Sequence, residues 1–234
     1  MSHPPDRQIS IIIPVLNEAE CLGASLQALQ ALRGRGHEVI VIDGGSGDGT
    51  TEQIVGCADR VLETGARRSV QMNAGARVAN GEVFWFLHAD SHIPPDADRL
   101  LLDALSNSGR QWGRFDVALS GRGLPFRIIA TMMNIRSRLT GIATGDQGIF
   151  VTRRAFVQVG GFPSIALMED IAISQALKRI GRPLCLRQTL VTSSRRWEQA
   201  GILRTVLLMW ALRLGYALGI DPMRLARLYQ RSPG

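Results

Sequence analysis

The sequence predicts an α/β fold, a mostly parallel central sheet with helices packed against it. Three observations carry that reading. Short continuous runs of isoleucine, valine and phenylalanine mark strands buried on both faces. Segments with leucine at helical spacing lie between them. The connections are short, so strand and helix alternate as they do in parallel sheets.

Residues 9–14 (ISIIIP) form the first strand, and residues 18–32, with Leu22, Leu26, Leu29 and Leu32 in step, the first helix. A second buried strand covers 39–42 and runs into Asp43 and the glycine-rich turn DGGSGDGT, after which a helix starts at Thr50 and reaches Val55. Residues 60–63 are a short third strand, 69–79 a helix and 83–87 (VFWFL) a fourth buried strand. His88-Ala89-Asp90 and a proline turn at Pro94-Pro95 come next, then a helix over 96–105. Beyond it the pattern gives a strand at 114–119, a helix at 126–139, a strand at 148–151, a helix at 168–180 opening on Glu169-Asp170, and a strand at 184–191. Two terminal helices cover about 200–218 and 222–230. In such sheets functional loops sit at the carboxyl ends of strands. Asn17-Glu18, Asp43, His88 and Asp90 all fall there, so one pocket is expected to gather them.

Hydrophobic residues make up 45% and charged residues 20% of the 234, enough for a sizeable core and unlike disordered, collagen-like or coiled-coil chains. No repeat or clear linker divides the chain, and a single domain is expected. Cys21, Cys57 and Cys185 lie far apart without a CxxC pair, so neither a disulfide framework nor a zinc site is indicated and a reducing compartment is expected. The polar stretch 1–8 lacks the apolar core of a secretory signal. A net charge of +7 favours an anionic partner: nucleotide, nucleic acid or acidic lipid. Nucleic acid is excluded as the partner, because the chain has only 2 tyrosines and no interleaving of aromatic and basic residues. The apolar stretch 202–220 is broken by Arg204 and Arg213. Nine positions apart at roughly 100° per residue, these two fall on opposite helix faces, so the segment reads first as a mostly buried helix and second as a membrane-surface element.

Four clusters carry candidate chemistry. The DGGSGDGT turn suits a phosphate at a helix N-terminus; a methyltransferase, a dinucleotide enzyme and a plain tight turn are alternatives, though the turn follows the second strand and lacks the GxGxxG spacing of a dinucleotide fold. Asp90 can hold a hard divalent cation shared with a diphosphate, and a nitrogen from His88 would favour Mn²⁺ over Mg²⁺; a strand-end aspartate capping the turn is the plainer alternative. Glu169-Asp170 either complements a helix dipole or supplies a general base. Arg195-Arg196-Trp197 and Arg67-Arg68 are diphosphate-binding and sugar-walling groups or simply basic surface.

Read in order, IIIPVLNE (11–18), VIDGGSGDGT (41–50), QMNAGA (71–76), FLHAD (86–90), GDQGIFVTRRAFVQVGGF (145–162), MED (168–170) and SSRRW (193–197) resemble the family 2 glycosyltransferases, which have the GT-A fold. The HAD, GDQGIF and RRW segments look most like a small bacterial subgroup associated with radical-SAM genes.

The resemblance implies a donor-binding half at 1–110, an acceptor and catalytic half at 111–198 and a helical appendage at 199–234. It implies that Pro14, Asn17 and Glu18 lie beside the nucleoside, that Asp43, with Ser46 in the same turn, contacts the base or ribose of a uridine nucleotide, and that Arg68 and Asn73 lie near it. It makes Asp90 the metal-binding acid of a DxD motif, with Mn²⁺ or Mg²⁺ as cofactor. It makes Asp170 the catalytic base with Glu169 beside it, and matches Arg196 and Trp197 to the end of a QxxRW element. His88 replaces the first acid of DxD, and Ser193 replaces the glutamine. That element typifies processive synthases, and no long membrane-spanning region comes after it, so single-sugar transfer is expected. The implied partners are a nucleotide-sugar donor and an acceptor of unknown identity, with a lipid-linked acceptor, contact with the inner face of the membrane and a homodimer each suggested by the apolar segments 124–139 and 199–234. The rival functions are a methyltransferase using S-adenosylmethionine and a nucleotide-binding membrane-surface module without catalysis.

Overall fold

In the computed structural model, which describes residues 8–230, the chain forms one seven-stranded sheet flanked by helices. The N-terminal polar stretch, apart from Gln8, lies outside the described residues. The strands are β1 (Ile9–Val15), β2 (Glu38–Asp43), β3 (Arg60–Glu63), β4 (Val83–Phe86), β5 (Trp112–Leu119), β6 (Phe150–Thr152) and β7 (Leu184–Thr192). The helices are α1 (Ala19–Gly34), α2 (Thr50–Ile54), α3 (Arg68–Val78), α4 (Ala97–Ser108), α5 (Leu124–Thr140), α6 (Arg153–Gln158), α7 (Glu169–Lys178), α8 (Arg195–Ala200), α9 (Ile202–Ala217) and α10 (Pro222–Gln230). The sheet order is β3-β2-β1-β4-β6-β5-β7. Its β3, β2, β1 and β4 run parallel, as do β5 and β7, while β6 is antiparallel to both β4 and β5. This is the mostly parallel α/β architecture expected.

The isoleucine runs explain the two-sided burial. Ile9, Ile11 and Ile13 pack on one face with leucines of α1 and α4. Ile12, Ile40 and Ile42 pack on the other with α3, Phe156 and Ile173. Gly75 lets α3 lie flat there: a Cβ on it would stand 2.6 Å from Ile12 Cγ2 and 2.7 Å from Ile42 Cδ1. Pro14 sits inside buried β1, not in a loop. Pairing of β1 with β4 ends at Ile12, so the missing proline N–H breaks no ladder there.

Three findings depart from the sequence reading. Helix α6 was not expected; the Thr152 hydroxyl caps it, accepting from Ala155 N–H at 3.3 Å. Arg195-Arg196-Trp197 lie in a short helix, α8, that the sequence reading did not assign. Helix α9 is not mostly buried: only Thr205, Leu212 and Gly215 are, while Leu203, Leu207, Trp210 and Leu214 are exposed. A small cluster of Met168, Leu212 and Leu225 docks α9 and α10 against the start of α7.

Candidate active site

The loops after β1 and β2 are laced together. Asn17 N–H donates to Ser46 Oγ at 2.8 Å, Gly47 N–H to Asn17 Oδ1 at 3.0 Å, and Glu18 N–H to Thr50 Oγ1 at 2.8 Å. Asp43 accepts from Ser46 Oγ at 2.5 Å and from the N–H groups of Ser46 and Gly45 at 2.9 and 3.1 Å. Its carboxylate therefore shapes the turn and keeps little acceptor capacity for a ligand. Asn73 is further removed: its amide donates to Phe162 O at 2.8 Å and accepts from Phe162 N–H at 3.0 Å, so it pins the 162 loop and is not aimed at a nucleotide.

Asp90 is held by the end of β7, accepting from Ser193 N–H at 3.2 Å and from Thr192 Oγ1 at 3.3 Å. Next along, Arg195 reaches back to Glu20 at 2.5 Å and Glu18 at 3.8 Å, closing the β7 end onto the first loop. Burial, aided by the Glu18 carboxylate that accepts its S–H, pushes the Cys21 thiol up to about 12, so it stays neutral and is no nucleophile.

His88 links the other side. Arg68 Nη1 lies 3.0 Å from His88 Nε2, and His88 Nδ1 lies 3.1 Å from Asp146. A guanidinium only donates, so Nε2 accepts and Nδ1–H donates. Burial is the largest influence on Asp146 and would raise its carboxyl, but the His88 hydrogen bond together with the charges around it, Arg68 and Arg136 among them, holds it below its usual range. Its side chain keeps 39% exposure, so water weakens the pull. Gly145, its neighbour, donates N–H to Asp170 Oδ2 at 3.1 Å, and Ile171 N–H donates to Asp170 Oδ1 at 2.7 Å. Burial first and the Glu169 charge second raise Asp170 to about 6. Met168, just before this pair, has φ 70°, and Asn17 has φ 54°; among the described residues these two alone are non-glycine with positive φ. Such strain persists where the surroundings over-determine it.

A chain of contacts thus runs from the turn of Asp43 through Glu18 and Arg195 to the end of β7 that holds Asp90, and from His88 through Asp146 to Asp170. Helix α10 lies over its far end: the Arg196 guanidinium sits 3.7 Å from the Tyr229 ring centroid, and Tyr229 feels the charges of Arg68, Asp146 and Glu169. Trp197 is half-buried in α8. Asp146, Arg136 and Tyr229 do not stand out from the sequence. Asp146 lies inside the GDQGIF segment, but only its proximity to His88 marks it.

Among the described residues no group of three His, Cys, Asp or Glu gathers as a metal site. His88 does not fit as a ligand, because both ring nitrogens are taken and Arg68 stands at the one with the lone pair. Asp90 does fit: a partly exposed carboxylate with long hydrogen bonds can give oxygen to a hard cation whose remaining ligands come from a diphosphate.

The fold is shared with proteins of known structure. A segment of Staphylococcus aureus TarS solved with UDP superposes with a TM-score of 0.65 at 18% identity, covering 80% of this chain and 60% of that one. A Pyrobaculum calidifontis mannosyltransferase solved with GDP-mannose and Mn²⁺ gives 0.59 at 20% identity, covering 79% and 56%. The match to the Glycosyl transferase family 2 model spans residues 10–160, and the chain belongs to that family. An uncharacterised glycosyltransferase of Mycobacterium tuberculosis is 36% identical over 114 residues, 45% of this chain and 44% of that protein. An undecaprenyl-phosphate 4-deoxy-4-formamido-L-arabinose transferase of Klebsiella pneumoniae is 27% identical over 161 residues, 63% of this chain and 49% of that protein. The chain spans about half the length of these curated relatives.

Proposed function

We propose that the chain transfers a single sugar from a nucleoside-diphosphate sugar, UDP-linked, to an acceptor hydroxyl with inversion at the anomeric carbon. The observation that carries this is Asp170: a carboxylate raised to about 6, aligned by Gly145 N–H and joined through Asp146 and His88 to Arg68. An acceptor hydroxyl is far too weak an acid to ionise near neutrality, so attack needs a base whose own value lies near the working pH. Asp170 takes that proton. Glu169 keeps Asp170 from ionising early. The leaving diphosphate gains charge, which Arg68 and Arg196 offset as fixed, pre-oriented cations. Mn²⁺ or Mg²⁺ bound by Asp90 and the diphosphate would supply Lewis-acid stabilisation of the same charge. Asn17, Glu18 and Ser46 form the nucleoside wall, with Asp43 holding the turn behind them, and Trp197 borders the sugar side.

The HAD, GDQGIF and RRW segments support placement in the radical-SAM-associated subgroup. Two apolar helix stripes support contact with the inner face of a membrane: Leu124, Ile128, Met132, Ile135 and Leu139 on α5, and Leu203, Leu207, Trp210, Leu214 and Leu218 on and just after α9, all exposed. No described helix is long and apolar enough to cross a bilayer. Pairing of two copies through the same stripes is the competing use.

The test is thermal shift and turnover with a panel of nucleotide sugars and Mn²⁺. One UDP-sugar is expected to raise the melting temperature and to be hydrolysed slowly, with Asp170→Asn losing at least about a hundredfold of that rate. Binding of S-adenosylmethionine in place of UDP, or unchanged turnover in Asp170→Asn, would sink the assignment.

A further inference from the structure

Arg136 of α5 is the charged side chain that the donor chemistry leaves unused. Its Nε and Nη2 atoms are buried and have no hydrogen-bond partner. Burial holds the guanidinium below its usual range, opposed by the charges of Asp170 and Asp146 and reinforced by Arg114. Arg114 cannot relieve it, being of like charge and itself paired with Asp116. Unpaired buried donors are rare and costly, more so on a cation.

The same side chain lines a cavity of about 680 Å³ between α5, α7, α9 and the turn before α10. That is the size of a small-molecule site. Arg213 lines it as well, Thr140, Gln175 and Tyr216 add polar groups, and no acidic residue contributes to the wall among the described residues. The cavity adjoins the acid pair: Ile171 of the wall is the next residue after Asp170, and Arg136 and Tyr216 both feel the charge of Asp170.

We infer that this cavity is an anion subsite for the acceptor, in which Arg136 and Arg213 hold a phosphate group while the reacting hydroxyl lies at Asp170. The inference deepens the transferase reading and rests on it. The unused Nε–Nη2 edge is a guanidinium edge that takes an oxyanion bidentately, and a second arginine matches the double charge of a phosphate monoester. The phosphate belongs either to a lipid headgroup or to a soluble ester; the two differ only in the group esterified to it.

The test is calorimetric titration of the full chain, with UDP and Mn²⁺ filling the donor side, using inorganic phosphate, glycerol phosphate, decyl phosphate and uncharged decanol. The phosphate-bearing probes are expected to saturate a site and decanol is not, with Arg136→Met and Arg213→Gln each weakening binding at least about tenfold. Arg136→Met is also expected to raise the ligand-free melting temperature, since it removes an unpaired buried charge; a merely structural arginine would lower it. Decyl phosphate binding about ten times tighter than glycerol phosphate assigns the lipid headgroup, and equal affinities assign a soluble ester. Decanol binding as well as the phosphates, or phosphate affinity unmoved in both variants, overturns the subsite. UDP binding by the unaltered protein is read in the same series. Its failure removes the transferase reading, whereas the phosphate titrations report on the cavity alone.

Discussion

Asp170 is placed where burial and Glu169 both resist its ionisation, and two backbone N–H groups hold it still. Its value of about 6 against the ordinary 3.8 fixes two pH effects. As the proposed base it must be ionised, so kcat/KM is expected to fall with unit slope below about pH 6. As a raised acid, it favours folding fully below about pH 4 and loses that contribution as pH rises through about 6. Asp170→Asn therefore removes a penalty of roughly 2–3 kcal/mol above about pH 6, read as a melting temperature about 5 °C higher near pH 7.5 than wild type. A variant that melts lower across the whole pH range would contradict the buried, resisted carboxylate. The acid itself was legible in the sequence because it stands at a helix start within MED. Asp146 and Arg136 were not, since their meaning comes from His88 and a cavity, neighbours remote along the chain.

At the level of elements, Asp98 clamps the α1–β2 turn to α4. It is 1% exposed and meets Arg35 Nε at 2.6 Å, Arg35 Nη2 at 2.9 Å and His37 Nε2 at 3.0 Å. Burial, the largest influence, would raise its carboxyl, but the Arg35 hydrogen bonds and charge, the Arg99 N–H and the His37 hydrogen bond together hold it below its usual range. Arg35 stays in reach of water, so what is lost is the set of charge-assisted hydrogen bonds, and Asp98→Ala is expected to cost about 2 kcal/mol, seen as a lower urea midpoint with an unchanged slope. Strands β1, β2 and β4 and helix α1 were legible from continuous apolar runs and helical leucine spacing. Helix α6 and helix α8 are each six residues long, too short for periodicity to register. The direction of β6 depends on its neighbours, not on its own residues. The exposure of α9 was hidden for a related reason: counting apolar residues does not say whether another element covers them.

For the molecule as a whole, charge and exposed apolar surface point to one environment. A +7 chain with two apolar helix stripes is expected to sediment with vesicles of anionic lipid and to be released by salt, because the Debye length shrinks from ~10 Å at 0.1 M to ~3 Å at 1 M. Trp210→Glu combined with Leu214→Glu should cut that binding at least about tenfold. If light scattering instead finds a dimer that the same double variant dissociates, with no vesicle binding, the stripes serve self-association.

The contact of Tyr229 with Arg196 has a consequence for biosynthesis. Every strand of the sheet is complete by Thr192, yet the roof over Arg196 comes from a helix made about thirty residues later. Because chains fold from the N-terminus as they emerge, a nascent protein can own its whole scaffold while Arg196 still lacks the Tyr229 ring. A ligand that needs the Arg196–Tyr229 contact must then await α10.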